Sequence, residues 1–227
     1  MSLKTEMILV RHGETIWNAE GRVQGQGDSP LTARGIAQAK SVGKRLQHEH
    51  FTTLYASHLG RVVDTARYIA DFTGHAITID ERLQERAYGI FEGLTHAEAS
   101  AKHPATYQEY KINFSPDFAV PAAESSRQLL ARGQAVFQDL AQRHPGERLV
   151  VVSHGSFLRF VLCDILGVPL GAKQSFRLAN GSLSEIAYED GEWSVTTLGE
   201  VYHLREIDEG EGNAGYIYDK STTNRLQ

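Results

Sequence analysis

Arg148-Leu-Val-Val-Val-Ser153 runs straight into His154-Gly155 and then into the apolar stretch Ser156-Phe-Leu-Arg-Phe-Val-Leu-Cys-Asp-Ile-Leu166. Four consecutive apolar residues, three of them valine, read as a strand buried on both faces, because a half-buried strand would alternate. The apolar run beginning at Ser156 is too long for such a strand and reads as a helix. The unit is therefore strand, His-Gly turn, helix. The pattern has a counterpart at the start of the chain, where Met7-Ile-Leu-Val10 ends in Arg11-His12-Gly13-Glu14-Thr15. A third short strand, Leu54-Tyr-Ala-Ser57, runs into His58-Leu-Gly-Arg61 and a helix over Arg61 to Phe72 that closes near Gly74.

The remaining segments extend this alternation. Pro30 and Thr32 announce a helix over residues 31 to 49. Ile77-Thr-Ile79 is a strand candidate, and residues 95 to 112 read as an irregular helical stretch restarted by Pro104. Residues 125 to 144 form a long amphipathic helix closed by Pro145-Gly146. Leu183 to Tyr188 and Ser194 to Leu198 flank Glu189-Asp-Gly-Glu192, a hairpin signal. The expected fold is α/β, a three-layer α/β/α sandwich with a mostly parallel central sheet and a helical cap insertion. Residues 1 to 207 are expected as a single domain with the cap at about 94 to 124, and the Gly-rich polar residues 208 to 227 as a mobile tail.

Composition narrows the function classes. The chain has 227 residues, 41% hydrophobic and 22% charged, with a net charge of −5. A mildly acidic chain is a poor candidate for nucleic acid or an anionic membrane, so neither is expected as a partner. A single cysteine, Cys163, rules out an intrachain disulfide and a cysteine-based zinc site. Without a signal peptide or a long apolar span, the expected location is the cytoplasm.

Ligands of parallel sheets bind at the carboxyl ends of the strands. His12, His154, Arg11 and Arg61 all follow predicted strands and are expected to converge there. Two arginines make a permanently charged fork for phosphate or carboxylate. A histidine among arginines resists protonation, and a neutral imidazole is a nucleophile. The glycine after each histidine is expected to let the backbone approach a ligand closely. Such a site transfers phosphoryl groups by positioning and charge, with no metal and no cofactor expected. A dehydrogenase is disfavoured because no Gly-x-Gly-x-x-Gly follows the first strand, and a metallohydrolase because no local ligand set is present.

At this point the chain resembles the histidine phosphatase superfamily, the phosphoglycerate mutase-like proteins, from about residue 6 to about 205. Leu9-Val-Arg-His-Gly-Glu-Thr-Ile-Trp-Asn18 carries the opening block. Arg22-Val-Gln-Gly25, Asp28-Ser-Pro-Leu-Thr-Ala-Arg-Gly35 and Ser57-His-Leu-Gly-Arg61 with Thr65-Ala66 follow in order. Leu83-Gln-Glu85 with Gly89 and Glu92-Gly93 resembles the acid block, and Glu124-Ser125 a Gly-Glu-Ser element in which Ala123 replaces the glycine. Val152-Ser-His-Gly155 is similar to the second histidine block, and Asn180-Gly-Ser-Leu-Ser184 to a late strand motif.

The resemblance implies roles. His12 is the nucleophile. Arg11, Arg61 and His154 hold the phosphoryl oxygens, with Gly155 offering its N–H and Asn18, Gln24 and Gly25 at the pocket edge. Glu85 protonates the leaving alkoxide and then activates water. A carboxylate beside a phosphate dianion is expected to have a raised pKa.

Both hydrolysis and mutase chemistry occur among such proteins. Glu85-Arg86-Ala-Tyr88-Gly89 fits the mutases and would place Arg86 and Tyr88 on a substrate carboxylate. The short interval from Glu85 to His154 lacks adjacent arginines, Gln24 is typical of the phosphatases, and Ser156 stands where mutases have Asn. The expectation is a metal-independent phosphomonoesterase acting on a small phosphorylated metabolite through a phosphohistidine at His12, as a monomer or homodimer. A phosphoglycerate mutase is the alternative, followed by a non-catalytic binding or scaffold protein. Tyr107, Tyr110, Phe114 and Phe118 are expected mostly to pack the cap, with one or two touching substrate, and His96 and His103 to lie at the surface. Tyr216, Ile217, Tyr218 and Lys220 are candidates for a lid.

Overall fold

The structure, a computed structural model, describes residues 3–111, 115–172 and 176–209. Six strands form one sheet: β1 (Thr5–Arg11), β2 (Thr53–Ala56), β3 (Ile77–Ile79), β4 (Arg148–Ser153), β5 (Leu183–Glu189) and β6 (Glu192–Glu200). Their order is β3-β2-β4-β1-β5-β6. β3, β2, β4 and β1 run parallel, while β5 and β6 are antiparallel additions. The turn between β5 and β6 places Asp190 at φ 53° and Gly191 at φ 88°, the left-handed pair an Asp-Gly hairpin needs.

The continuous apolar runs are explained by the alternation of side chains across a sheet. Met7, Leu9, Leu149 and Val151 pack on one face, Ile8, Val10, Val150 and Val152 on the other. Each face receives helices. α2 (Ala33–Leu46) and α3 (Gly60–Thr73) cover the second with Val42, Leu46, Val62 and Ile69. α6 (Ser126–Arg143) and α7 (Gly155–Ile165) cover the first with Leu129, Val136, Phe157 and Leu158. This is the expected three-layer α/β/α arrangement with a mostly parallel sheet. Gly74 ends α3 in the left-handed conformation, its N–H bonded to the Ala70 carbonyl. A short helix, α1 (Ile16–Ala19), follows β1 and is absent from the sequence reading.

The cap holds α4 (His96–Lys102) and α5 (Pro104–Lys111) around Phe91, Ala99 and Val120, with Tyr107 and Phe118 packed against them. Phe114 lies outside the described residues. The last helix, α8 (Arg205–Glu209), runs two residues into the segment expected as tail. The candidate lid residues Tyr216, Ile217, Tyr218 and Lys220 lie outside the described residues. Among the described residues, no helix is long and apolar enough to cross a membrane.

Candidate active site

The pairing of β1 with β4 sets Arg11 opposite Ser153, so both strands end at one level. The His12 N–H donates to the Ser153 carbonyl at 3.0 Å. The next residue of each strand is thereby brought beside the other. The rings of His12 and His154 meet edge to face with centroids 5.4 Å apart. β2 lies on the far side of β4 and is followed directly by Ser57, whose hydroxyl is 2.9 Å from His154 Nε2. Arg61, in the first turn of α3, sends a buried guanidinium beneath the same edge. His58 is exposed.

His12 is buried, and its Nδ1 lies 2.7 Å from the Gly13 carbonyl oxygen. A carbonyl only accepts, so Nδ1 carries the proton and Nε2 the lone pair. Burial, then the charges of Arg61 and Arg11, hold the His12 pKa well below the ordinary 6.5. Burial, Arg61, His12 and Arg11 do the same for His154. Both rings are thus neutral. The Nδ1 of His154 is buried with no hydrogen-bond partner among the described residues.

Arg61 is held by a loop. Its NH1 donates to the Gly27 carbonyl at 2.8 Å and to Asp28 Oδ1 at 3.1 Å, its NH2 to the Gly25 carbonyl at 2.7 Å. Glu92 anchors that loop by accepting the Gln26 and Gly27 N–H groups at 3.1 and 3.0 Å. Arg11 donates to the Leu178 carbonyl at 2.5 Å. Asn18 Oδ1 accepts from Thr15 N–H at 3.2 Å and from Asn180 Nδ2 at 3.1 Å, which commits its oxygen and leaves Nδ2 as the group to offer.

The glycines after the two histidines serve protein contacts. A Cβ on Gly13 would stand 2.4 Å from the Gly35 carbonyl oxygen, and one on Gly155 would stand 2.9 Å from Arg11 Nε. Gly13 therefore admits a neighbouring backbone rather than a ligand, which corrects the sequence expectation. Gly155 admits the Arg11 side chain and also lines the cavity.

Glu85 follows a 3-10 turn, Glu81–Leu83, that is pinned when Ser153 Oγ donates to the Leu83 carbonyl at 2.7 Å. Arg132 of α6 donates to the carbonyls of Arg82 and Gln84 at 2.7 and 2.8 Å and forks onto the Glu124 carboxylate at 3.0 and 2.7 Å. The Glu85 carboxylate accepts three backbone N–H groups: Arg86 at 2.7 Å and Phe157 at 2.9 Å on Oε1, Ser156 at 3.0 Å on Oε2. The first turn of α7 thus grips the acid, a helix N-terminus serving a carboxylate.

These groups line a cavity of about 420 Å³. Arg11, His12, Asn18, Gln24, Gly25, Arg61, Glu85, Tyr88 and Gly155 are on its wall, as sequence reasoning proposed, whereas His154 and Arg86 are not. His154 is fully buried beside His12. Arg86 is turned away: its Nε donates to the Glu124 carbonyl at 2.9 Å, and its guanidinium lies 5.4 to 5.9 Å from the ring centroids of Tyr88, Tyr110 and Phe160. It is thus used in joining cap to core. Tyr88 bonds Ser156 Oγ through its hydroxyl at 2.8 Å.

Several contributors were not assigned in the sequence. Ser57, Asn180 and the Arg132–Glu124 pair position the site through contacts that only folding creates. Ser57, Glu124 and Asn180 did lie in motifs singled out, and that was the available signal. His96 is exposed as expected but lines the cavity mouth with Tyr110. His103 is half-buried, its ring centroid 6.2 Å from that of Phe91. Among the described residues, no three His, Cys, Asp or Glu side chains assemble as a metal ligand set.

Comparison with known proteins places this geometry. Residues 7–201 match the family described as histidine phosphatase superfamily (branch 1). A protein of Enterobacter sp. (strain 638) named "Probable phosphoglycerate mutase GpmB" is 40% identical over 204 residues, covering 88% of this chain and 94% of the relative. The structure of YhfR from Bacillus stearothermophilus superposes with a TM-score of 0.82 at 32% identity, covering 88% of this chain and 99% of that one. The alpha-ribazole phosphatase of Shigella flexneri gives 0.79 at 25% identity, with 86% and 96% covered. The relatives thus include a protein named as a phosphatase and one named as a mutase. With the family model spanning nearly the whole chain and two histidines, two arginines and a glutamate gathered at one sheet edge, this chain belongs to the histidine phosphatase superfamily and is an enzyme of that kind, phosphatase or mutase.

Proposed function

We propose that the protein is a phosphomonoesterase for small phosphorylated metabolites that works through a phosphohistidine at His12. The observation that carries this reading is the locked neutral tautomer of His12, with Nδ1–H given to Gly13 and the Nε2 lone pair left for attack, in a cavity shared with Arg11, Arg61 and Glu85. In the first step Nε2 attacks phosphorus and the P–O ester bond breaks. The electron pair leaves on the alkoxide, which takes a proton from Glu85. In the second step Glu85 takes a proton from water, the resulting hydroxide attacks phosphorus, and the P–N bond breaks to return the lone pair to His12. Arg11 and Arg61 stabilise charge on the transferring oxygens.

Hydrolysis is preferred to mutase chemistry because Arg86, the residue a mutase would place on the substrate carboxylate, is committed to Glu124 and three aromatic rings. The mutase reading is kept because curated relatives carry that name. The test is p-nitrophenyl phosphate hydrolysis in excess EDTA, with wild type and His12→Ala side by side. Activity that survives chelation and vanishes in the variant is expected. Loss with EDTA would overturn the metal-independent mechanism. Silence on p-nitrophenyl phosphate with rapid 3- to 2-phosphoglycerate interconversion would replace the phosphatase by the mutase. Silence in both assays would favour a binding or scaffold role.

A further inference from the structure

The backbone of His12 is held on both sides. Its N–H donates to the Ser153 carbonyl. Its carbonyl accepts Asn180 Nδ2 at 3.0 Å and the Gly181 N–H at 3.3 Å. The Gly181 N–H also reaches the Arg11 carbonyl at 3.0 Å. Asn180 and Gly181 form the middle of a turn closed by the Ser182 N–H on the Ala179 carbonyl at 3.1 Å. Gly181 stands at φ 74°, the left-handed value such a turn requires at its third residue. The carbonyl side of the nucleophile therefore rests on a turn that lies outside the strands, just before β5.

That turn has a brace of its own. A 3-10 turn, Tyr202–Leu204, follows β6 and brings His203 against it. His203 Nε2 lies 2.9 Å from the Gly181 carbonyl oxygen, and Nδ1 lies 3.2 Å from Glu200 Oε2. Burial lowers the His203 pKa, opposed by the Gly181 carbonyl and Glu200 and assisted by Arg45 of α2. The ring is thus neutral near pH 7 and has one proton to give. Gly181 is buried, whereas Glu200 is half-buried and can turn to water. A buried carbonyl loses most when its hydrogen bond is unmade, so the proton sits on Nε2. His203 is itself anchored. Ser41 Oγ of α2 donates to its carbonyl, and its side chain is 6% exposed. The next residue, Leu204, is buried against the same turn, where a Cβ on Gly181 would stand 3.4 Å from Leu204 Cδ1.

We propose that His203 is a positioning residue for the nucleophile: through the Gly181 carbonyl it fixes the turn that holds the His12 carbonyl, and with it the line of attack of His12 Nε2. This rests on the phosphohistidine reading above. His203 does not line the cavity, so it acts on His12 and not on substrate. The path from His203 to Gly181 to His12 is two hydrogen bonds long and bypasses Glu85.

The test compares His203→Gln with His203→Asn in the full-length protein, each assayed below its own melting transition. A glutamine amide nitrogen reaches the place of Nε2, while that of asparagine reaches only the place of Nδ1. His203→Asn is expected to lower kcat/KM about 10- to 100-fold, as small misplacements of reacting groups do. The loss should be equal on p-nitrophenyl phosphate and glycerol 3-phosphate, because both need attack by His12. The inhibition constant of inorganic phosphate should stay within about twofold of wild type, since transition-state and not ground-state interactions are lost. His203→Gln should keep most of the wild-type kcat/KM. Ser41→Ala, which frees the His203 carbonyl and spares the ring, should show the same pattern in milder form. Should His203→Asn not fold, an unchanged kcat/KM in Ser41→Ala would overturn the positioning role. Equal losses in the glutamine and asparagine variants, a loss confined to phosphate affinity, or an unchanged kcat/KM in folded His203→Asn would also overturn it. Each of these leaves the phosphohistidine reading standing. A wild type that hydrolyses p-nitrophenyl phosphate no faster than His12→Ala would overturn both.

Discussion

Glu85 and Phe157, 72 residues apart in sequence, are joined by a 2.9 Å hydrogen bond from the Phe157 N–H to Glu85 Oε1. The neighbouring Ser156 N–H reaches Oε2 at 3.0 Å. The carboxylate is thus seated on the helix that begins directly after His154, and acid and histidine share one rigid support. Oε1 accepts two N–H groups and Oε2 one. Oε2 therefore retains the lone pair that can exchange a proton with the leaving group.

Glu85→Gln should separate the two chemical steps. An amide keeps a carbonyl for one set of N–H donors but cannot protonate an alkoxide. On an alkyl phosphate such as glycerol 3-phosphate, kcat should fall about 10²- to 10⁴-fold. On p-nitrophenyl phosphate, whose leaving group needs little help, phosphorylation of His12 should be far less affected than dephosphorylation. A burst of p-nitrophenol followed by slow turnover is then expected in rapid-mixing experiments. Equal losses on both substrates with no burst would mean that Glu85 does not serve as the acid.

The two buried histidines make stability depend on pH in a defined window. The folded-state pKa of both His12 and His154 is lowered, whereas in the unfolded chain each titrates near the ordinary 6.5. Above that pH neither state binds the proton. Below it the unfolded state binds protons that the folded state refuses, so stability falls as pH falls, by about 1.4 kcal/mol per unit and per histidine. Urea unfolding at pH 7 and pH 5.5 should show this loss. In His12→Ala the difference between the two pH values should shrink by about 1 kcal/mol. An unchanged difference would show that His12 is not held neutral.

The legibility of these features followed their locality. The strands were readable because Met7-Ile-Leu-Val10 and Leu149-Val-Val-Val152 can only be buried on both faces, and the hairpin because Asp190-Gly191 supplies two left-handed residues. The convergence of His12, His154, Arg11 and Arg61 followed from strand ends alone. The withdrawal of Arg86 was not readable, since its destination depends on Glu124 and on rings from the cap and α7. The resemblance placed it on substrate, and the folded contacts took it elsewhere.

Arg132 is expected to be a positioning residue for Glu85, acting through the turn that precedes it. Its guanidinium bonds two carbonyls of that turn while forking onto Glu124. A lysine keeps the charge but lacks the planar fork. Arg132→Lys should lower kcat on glycerol 3-phosphate of order 10-fold or more, as small misplacements of catalytic groups do, with KM little changed. A loss confined to KM, or the same loss on p-nitrophenyl phosphate with no burst of p-nitrophenol, would show that Arg132 does not act through Glu85.

The two glycines that follow the histidines should respond differently to alanine. At Gly13 the new Cβ would meet backbone, the Gly35 carbonyl oxygen at 2.4 Å, and the nearest segments cannot yield without moving the Gly13 carbonyl that holds the His12 tautomer. Gly13→Ala should therefore cost about 1–3 kcal/mol of stability, lower Tm by several degrees and depress kcat. At Gly155 the obstruction is the Arg11 side chain, which can swing aside. Gly155→Ala should keep Tm within about a degree or two of wild type while raising KM, because the displaced guanidinium is the one aimed at the phosphate. Thermal melts and steady-state kinetics on the two variants check the pair. If Gly13→Ala melted like the wild type while Gly155→Ala unfolded early, the backbone of the His12 loop would have more room than these contacts allow.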